Sequence, residues 1–158
     1  MAKTRNRKKS ADARLVQAEA KAAVRRLTCG RVMKSPQMVM EGASVHEVLE
    51  TMINKNWDHV FIISEDGIPI GRIHAVDVLK LTSRKTVNGN LAWMMATSAK
   101  QLVNLPPLQV GLSTPLLKAG ALMLTHDLNQ LAVVDSDGVL VGFVSHATMA
   151  MHLPRFIL

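Results

Sequence analysis

The chain has one cysteine, no tyrosine, 3% aromatic residues and no long apolar run. Cys29 alone cannot close an internal disulfide, and no second cysteine stands at zinc-ligand spacing, so redox and thiolate-metal chemistry have almost nothing to build on. No stretch approaches the roughly 20 consecutive apolar residues that cross a bilayer, and the first ten residues are too polar to open a secretory signal. A soluble, cytoplasmic protein without a transmembrane segment is therefore expected. The six histidines, at positions 46, 59, 74, 126, 146 and 152, form no familiar metal-ligand pair. Trp57 and Trp93 each stand without aromatic company and read as packing or interface residues rather than base-stacking platforms. With no nucleophile-base pair, metal cluster or phosphate-cradling glycine loop, an enzyme is not expected, and no cofactor is required.

What the chain does have is charge, unevenly placed. The formal net charge is +7, yet residues 1–31 alone carry +8 and the remainder −1. A nearly neutral globular part thus follows a concentrated cationic arm. Met1 to Lys9 is too polar and too charged to fold unaided, whereas Ser10 to Leu27 reads as a helix capped by Ser10. Its stripe of Val16, Ala20, Ala23 and Leu27 is expected to pack on the globular part or on a second subunit, leaving Arg14, Lys21 and Arg25 in solvent.

The globular part is a repeat. A shift of 71 residues places Pro36 on Pro107, Met52 on Met123, Val60-Phe61-Ile62-Ile63 on Leu131-Ala132-Val133-Val134, Asp66-Gly67 on Asp137-Gly138 and Gly71 on Gly142. Each copy opens with a short extended piece (Gln37 to Val39; Leu108 to Val110). A helix follows, with an apolar stripe of Val45, Val48, Leu49, Met52 and Ile53 in the first copy, and Leu116, Ala119, Gly120, Met123 and Leu124 in the second. Ser44 with Glu47 three residues on predicts a capping box, and Thr114-Pro115 predicts a cap followed by proline at the first helical position. Two apolar runs joined through Asp-Gly then predict a hairpin, and a last helix follows, Ala75 to Leu81 or His146 to His152. The unit is β-α-β-β-α, and half of such a pair cannot cover both faces of its own sheet, so the copies should pack across a pseudo-twofold axis. The predicted class is α/β (α+β). The boundaries are a basic tail and helix at 1–27, repeat one at 28–82, a linker at 83–100, repeat two at 101–153 and a C-terminal tail at 154–158.

This order, with Ser44-Val45-His46-Glu47-Val48-Leu49-Glu50-Thr51-Met52, Asp66-Gly67-Ile68-Pro69-Ile70-Gly71-Arg72-Ile73, Thr114-Pro115-Leu116-Leu117-Lys118-Ala119 and Asp137-Gly138-Val139-Leu140-Val141-Gly142-Phe143-Val144-Ser145, resembles the CBS (cystathionine-β-synthase) domain family. The likeness covers roughly residues 28–153, both repeats. It implies a Bateman-type module, commonly a homodimer forming a flat disc, that senses an adenosine ligand (AMP, ADP, ATP or S-adenosylmethionine) in clefts between the repeats. The family's Gly, two apolar, Ser/Thr, two variable, Asp pattern falls on Gly71 to Asp77 and on Gly142 to Thr148. Asp77 would accept both ribose hydroxyls, a task for which a carboxylate has two oxygens. Arg72 and His74 depart from the pattern, with His74 standing at the hydroxyl position. In the second copy Ser145 fits that position, but Thr148 replaces the carboxylate, which implies a weak, altered or empty cleft. Adenine would lie along the short first strands, on backbone groups near Met38, Val39, Gln109 and Val110. The plainer reading of Asp77 and Ser145 is that each caps a helix. Residues 1–31 offer a competing function, an interaction arm for RNA, DNA or anionic lipid that contacts phosphates without reading sequence.

Overall fold

The computed structural model describes residues 2–83, 91–103 and 106–154. In chain order the elements are α1 (Ala2–Arg25), α2 (Cys29–Val32), β1 (Met38–Met40), α3 (Val45–Lys55), β2 (His59–Ile63), β3 (Pro69–His74), α4 (Ala75–Ser83), α5 (Leu91–Ala96), a 3-10 turn (Ala99–Leu102), β4 (Gln109–Gly111), α6 (Leu116–Thr125), β5 (Gln130–Val134), β6 (Leu140–Ser145) and α7 (His146–His152). The β-α-β-β-α unit therefore occurs twice. Much of the expected linker, residues 84–90, and of the expected C-terminal tail, residues 155–158, lies outside the described residues.

Each repeat forms a three-stranded sheet in which the first strand runs parallel to the second and the second antiparallel to the third. The registers match at the repeat distance: Met38 faces Phe61 and Gln109 faces Ala132. The hairpins turn at Gly67 (φ 81°) and Gly138 (φ 82°), in the left-handed region that a residue without Cβ enters at no steric cost. Ser44 and Glu47 make the expected capping box, Ser44 Oγ accepting from Glu47 N–H at 3.2 Å and Glu47 Oε2 accepting from Ser44 N–H at 2.7 Å. The Ser44 N–H first, and then the Ser44 hydroxyl donating to the same Oε2 at 3.2 Å, hold the Glu47 carboxyl below its ordinary value. The second helix begins otherwise. Pro115 occupies the cap position, not the first helical one, and Thr114 Oγ1 accepts from Gly111 N–H at 3.0 Å, closing the turn behind it.

Further sequence expectations are corrected in the helices. Ile53 and Leu124 belong to the predicted apolar stripes, yet they are 78% and 81% exposed, because the narrower face of Val45, Val48 and Met52, or Leu116, Ala119 and Met123, already covers each sheet. The N-terminal helix extends back to Ala2, so Ser10 lies within it instead of capping it. The Lys and Arg side chains of that stretch are good helix formers despite their charge. Of its predicted stripe, Leu27 packs on the second repeat's core and Ala20 is half-buried, whereas Val16 and Ala23 are exposed.

One core forms under each sheet, and each borrows from the other repeat. Cys29, with Leu27, Val32 and Met33, belongs to the core of Val110, Leu116, Met123, Leu131, Val133 and Val144, in the second repeat. Ala99, with Leu102 and Val103, belongs to that of Val48, Met52, Val60, Ile62 and Ile73, in the first. Matching hydrogen bonds fix both: Cys29 N–H to Thr114 O and Leu116 N–H to Leu27 O, each 2.8 Å, against Ala99 N–H to Ala43 O (2.7 Å) and Val45 N–H to Thr97 O (2.8 Å). The leading segments are thus exchanged. Each crosses the third strand of its host at a glycine. A Cβ on Gly142 would lie 2.6 Å from Met33 Sδ and 2.8 Å from Lys34 O, and one on Gly71 would overlap Val103. The opposite sheet faces meet in a seam of Phe61, Ile63, Ala132, Leu140 and Phe143.

Candidate functional site

Alternation along the strands puts Val60, Ile62 and Ile73 toward the helices and sends His59, Phe61 and Arg72 to the seam. At the repeat distance His59 corresponds to Gln130, and Arg72 to Phe143. The seam accordingly has two pseudo-equivalent ends with different chemistry.

At one end Arg72 reaches across, its Nη1 donating to Gln130 Oε1 at 3.1 Å. Beside this bond lies a cavity of about 360 Å³ lined by Arg72, Gln130, Pro107, Leu108, His126 and Leu128. Burial lowers the guanidinium's pKa below its ordinary value, an effect countered at longer range by the charges of Asp77 and Asp58. Among the described residues Arg72 makes no ion pair.

At the other end Phe143 presents its edge to the His59 ring, with centroids 4.7 Å apart, and Phe61 flanks it at 5.4 Å. His59 is 1% exposed. Its Nδ1 lies 2.7 Å from Asp58 Oδ1, and its Nε2 is buried with no hydrogen-bond partner among the described residues. Burial depresses the imidazole's pKa, more than the Asp58 carboxylate restores it. In the neutral ring Nδ1–H donates to Asp58 and leaves Nε2 a bare acceptor.

The sequence-predicted residues sit one strand pairing away from these ends. His74 pairs with His59 in register, and Ser145 with Gln130. Within each repeat the pattern residues are brought together as a helix start: Asp77 Oδ2 accepts from His74 N–H at 2.9 Å, and Ser145 N–H donates to Thr148 Oγ1 at 3.0 Å while Ser145 Oγ accepts from Thr148 N–H at 3.4 Å. Asp77 is exposed, whereas Thr148 is buried. Met38 and Gln109 are exposed at the starts of β1 and β4; Val39 is half-buried against the first core and Val110 is in the second. None of these eight lines the cavity; Leu108, next to Gln109, and Gln130, opposite Ser145, do. Sequence reading did not single out His126 or Gln130 and treated Arg72 only as a departure. The available signal was polarity in the wrong place, an arginine inside the Gly71-to-Ile73 run and a glutamine opening the Leu131-to-Val134 run. Cys29 is fully buried and its thiol is pushed up to about 11 by burial, which makes it inert. No group of three or more His, Cys, Asp or Glu able to hold a metal exists among the described residues, and none of their helices is long and apolar enough to cross a membrane.

A paired β-α-β-β-α repeat with exchanged leading segments and a cleft at the seam between its sheets defines a tandem-repeat α/β module. The chain belongs to the CBS domain family, whose profile matches residues 29–84 and again 99–154, more than half of the chain. Among solved structures, CBSX2 from Arabidopsis thaliana in complex with AMP is 24% identical with a TM-score of 0.70, covering 83% of this chain and 98% of its own. The CBS domain pair of MJ0100, in complex with 5-methylthioadenosine and S-adenosylmethionine, is 17% identical with a TM-score of 0.68, over 82% and 97%. A curated homoserine O-acetyltransferase from Methanohalobium evestigatum is 26% identical over 118 residues, 75% of this chain. The alignment spans only 22% of that transferase.

Proposed function

We propose that this chain is a non-catalytic regulatory module that senses an adenosine ligand, AMP, ADP, ATP or S-adenosylmethionine, at its inter-repeat clefts. The observation that carries this reading is the cavity beside β4 and β5, which receives side chains from both repeats, so that an occupant touches the seam. A ligand with different affinity for two packings of the seam shifts their populations, which is all that signalling requires. Within this reading Gln109 and Val110, or Met38 and Val39, offer backbone groups to the base, while Ser145 with Thr148, or His74 with Asp77, serves ribose and phosphate. Asp77, exposed and held among the described residues by a single backbone bond, is free to exchange it for ribose hydroxyls; Thr148 is buried and is not.

A second copy is the proposed partner. Ile53 and Leu124, related by the repeat, are the same kind of exposed apolar group on α3 and α6, suited to burial in a homodimer. Calorimetric titration of the four ligands into the wild type and Asp77→Ala tests the reading: saturable binding by any of them supports it, weakening by Asp77→Ala assigning that ligand to the first repeat and unchanged binding to the cavity of the second, and no binding by any ligand overturns it. A second reading, a polyanion partner such as nucleic acid or anionic lipid for residues 1–31, rests on the exposed Arg14, Lys21, Arg25 and Arg26 of the N-terminal segment. Binding that falls steeply with added salt would support it.

A further inference from the structure

Arg72 is a cation in the wrong company. It is half-buried, and among the described residues its only hydrogen-bond acceptor is the neutral amide of Gln130 and no carboxylate lines the cavity it borders. The second titratable group at the cavity wall is His126, also basic when it carries charge. A guanidinium removed from water is satisfied by a charged acceptor far better than by an amide oxygen, and its fork matches the oxygens of a phosphate. Across the seam, the first repeat's Asp77 is answered in the second by Thr148, which supplies no negative charge.

We infer that this cleft recognises an anion: it takes a phosphate-bearing adenosine ligand in preference to S-adenosylmethionine or bare adenosine, with Arg72 of the first repeat as the phosphate contact for a ligand held by the second. This rests on the adenosine-sensing reading and narrows its ligand class. A sulfonium and an ammonium find no counter-charge on these walls, whereas a phosphate finds Arg72. A volume of about 360 Å³ lies at the lower end of the range of small-molecule sites, suited to a mononucleotide. The phosphate competes with Gln130 Oε1 for the guanidinium, so occupancy breaks the Arg72–Gln130 bond across the seam. Repeat packing thereby becomes sensitive to the ligand.

The test is calorimetric titration of AMP, adenosine, S-adenosylmethionine and inorganic pyrophosphate into the full chain, wild type, Arg72→Gln and Arg72→Lys, with circular dichroism as the check on folding. AMP is expected to bind at least about tenfold more tightly than adenosine or S-adenosylmethionine, the worth of one charge-assisted contact. Arg72→Gln removes that margin and Arg72→Lys keeps part of it. Adenosine or S-adenosylmethionine binding as tightly as AMP overturns the inference while leaving adenosine sensing intact, as does an AMP margin unchanged in Arg72→Gln. Should Arg72→Gln fail to fold, the wild-type ratios and Arg72→Lys decide. If no adenosine compound binds, adenosine sensing falls, and pyrophosphate judges the anion cleft alone: binding weakened by Arg72→Lys sustains it, and no binding overturns it.

Discussion

The two ends of the seam occupy equivalent places in the repeat and solve the same packing problem differently. At one, Phe143 closes on His59 in an edge-to-face aromatic contact; at the other, Arg72 meets Gln130 and a cleft stays open beside them. The backbone registers around both are the same, so the divergence lies in the side chains alone. Duplication supplied two sites, and substitution made one a structural joint and left the other a cleft with an unmatched charge.

The largest effect expected from breaking this comparison is at the closed end. Phe143→Ala empties a buried aromatic site and should lower unfolding free energy by about 3–5 kcal/mol in urea titrations, whereas Arg72→Ala at the equivalent position should cost less than about 2 kcal/mol. Next come the crossing points. Gly142→Ala and Gly71→Ala each drive a methyl group into the exchanged segment and should cost about 1–3 kcal/mol, visible as a lowered Tm. A similar cost at both would show that the two crossings bear alike; a much smaller cost at one would show that its segment can shift.

The third test uses pH. The folded value of His59 lies below the 6.5 of a free imidazole, so the unfolded chain binds the extra proton first as pH falls. The stability contributed by the neutral ring is therefore complete above 6.5 and is lost as pH drops from there toward the folded value. Asp58, Arg72 and His74 are the charged or titratable groups acting on the ring, and only Asp58 favours its protonation. His59→Gln, which copies the open end, should remove this component of the acid sensitivity, about 1.4 kcal/mol for each pH unit by which His59 is depressed. The smallest effect concerns the helix ends, where Asn56 and Asp127 both adopt left-handed backbone (φ 53° and 52°). Asp127→Gly should raise Tm slightly, by up to about 1 kcal/mol of stability, and Asn56→Gly by less, because asparagine tolerates this conformation better.

The repeated unit, both hairpins and the Ser44 capping box were legible because each depends on short-range pattern: apolar periodicity, Asp-Gly turns and residues three apart. The exchanged segments were not legible. Thr28 to Met33 and Ser98 to Val103 correspond at a distance of 70, one residue off the shift of the rest of the chain, and share no identical residue. Their partners lie on the other repeat, beyond any local pattern. The seam was hidden for a related reason. Alternation tells that His59 and Arg72 share a face with Phe61, but only the packing of two sheets tells that the face is covered. Ile53 and Leu124 misled because an apolar helical stripe looks the same whether it meets its own sheet or faces outward.

The crossing of Cys29 and Ala99 into each other's repeat makes this chain a molecule that cannot be divided at its linker. A fragment holding residues 28–83 would expose the groove that Ala99 fills, and one holding 91–154 the groove that Cys29 fills, so each should be insoluble or molten alone and refold when mixed with its complement. The handshake also bears on speed. Each core is completed by a segment far away in sequence, Cys29 beside Thr114 and Ala99 beside Ala43, so folding of the whole is expected to be slow for a chain of this size, as contacts between remote segments make it.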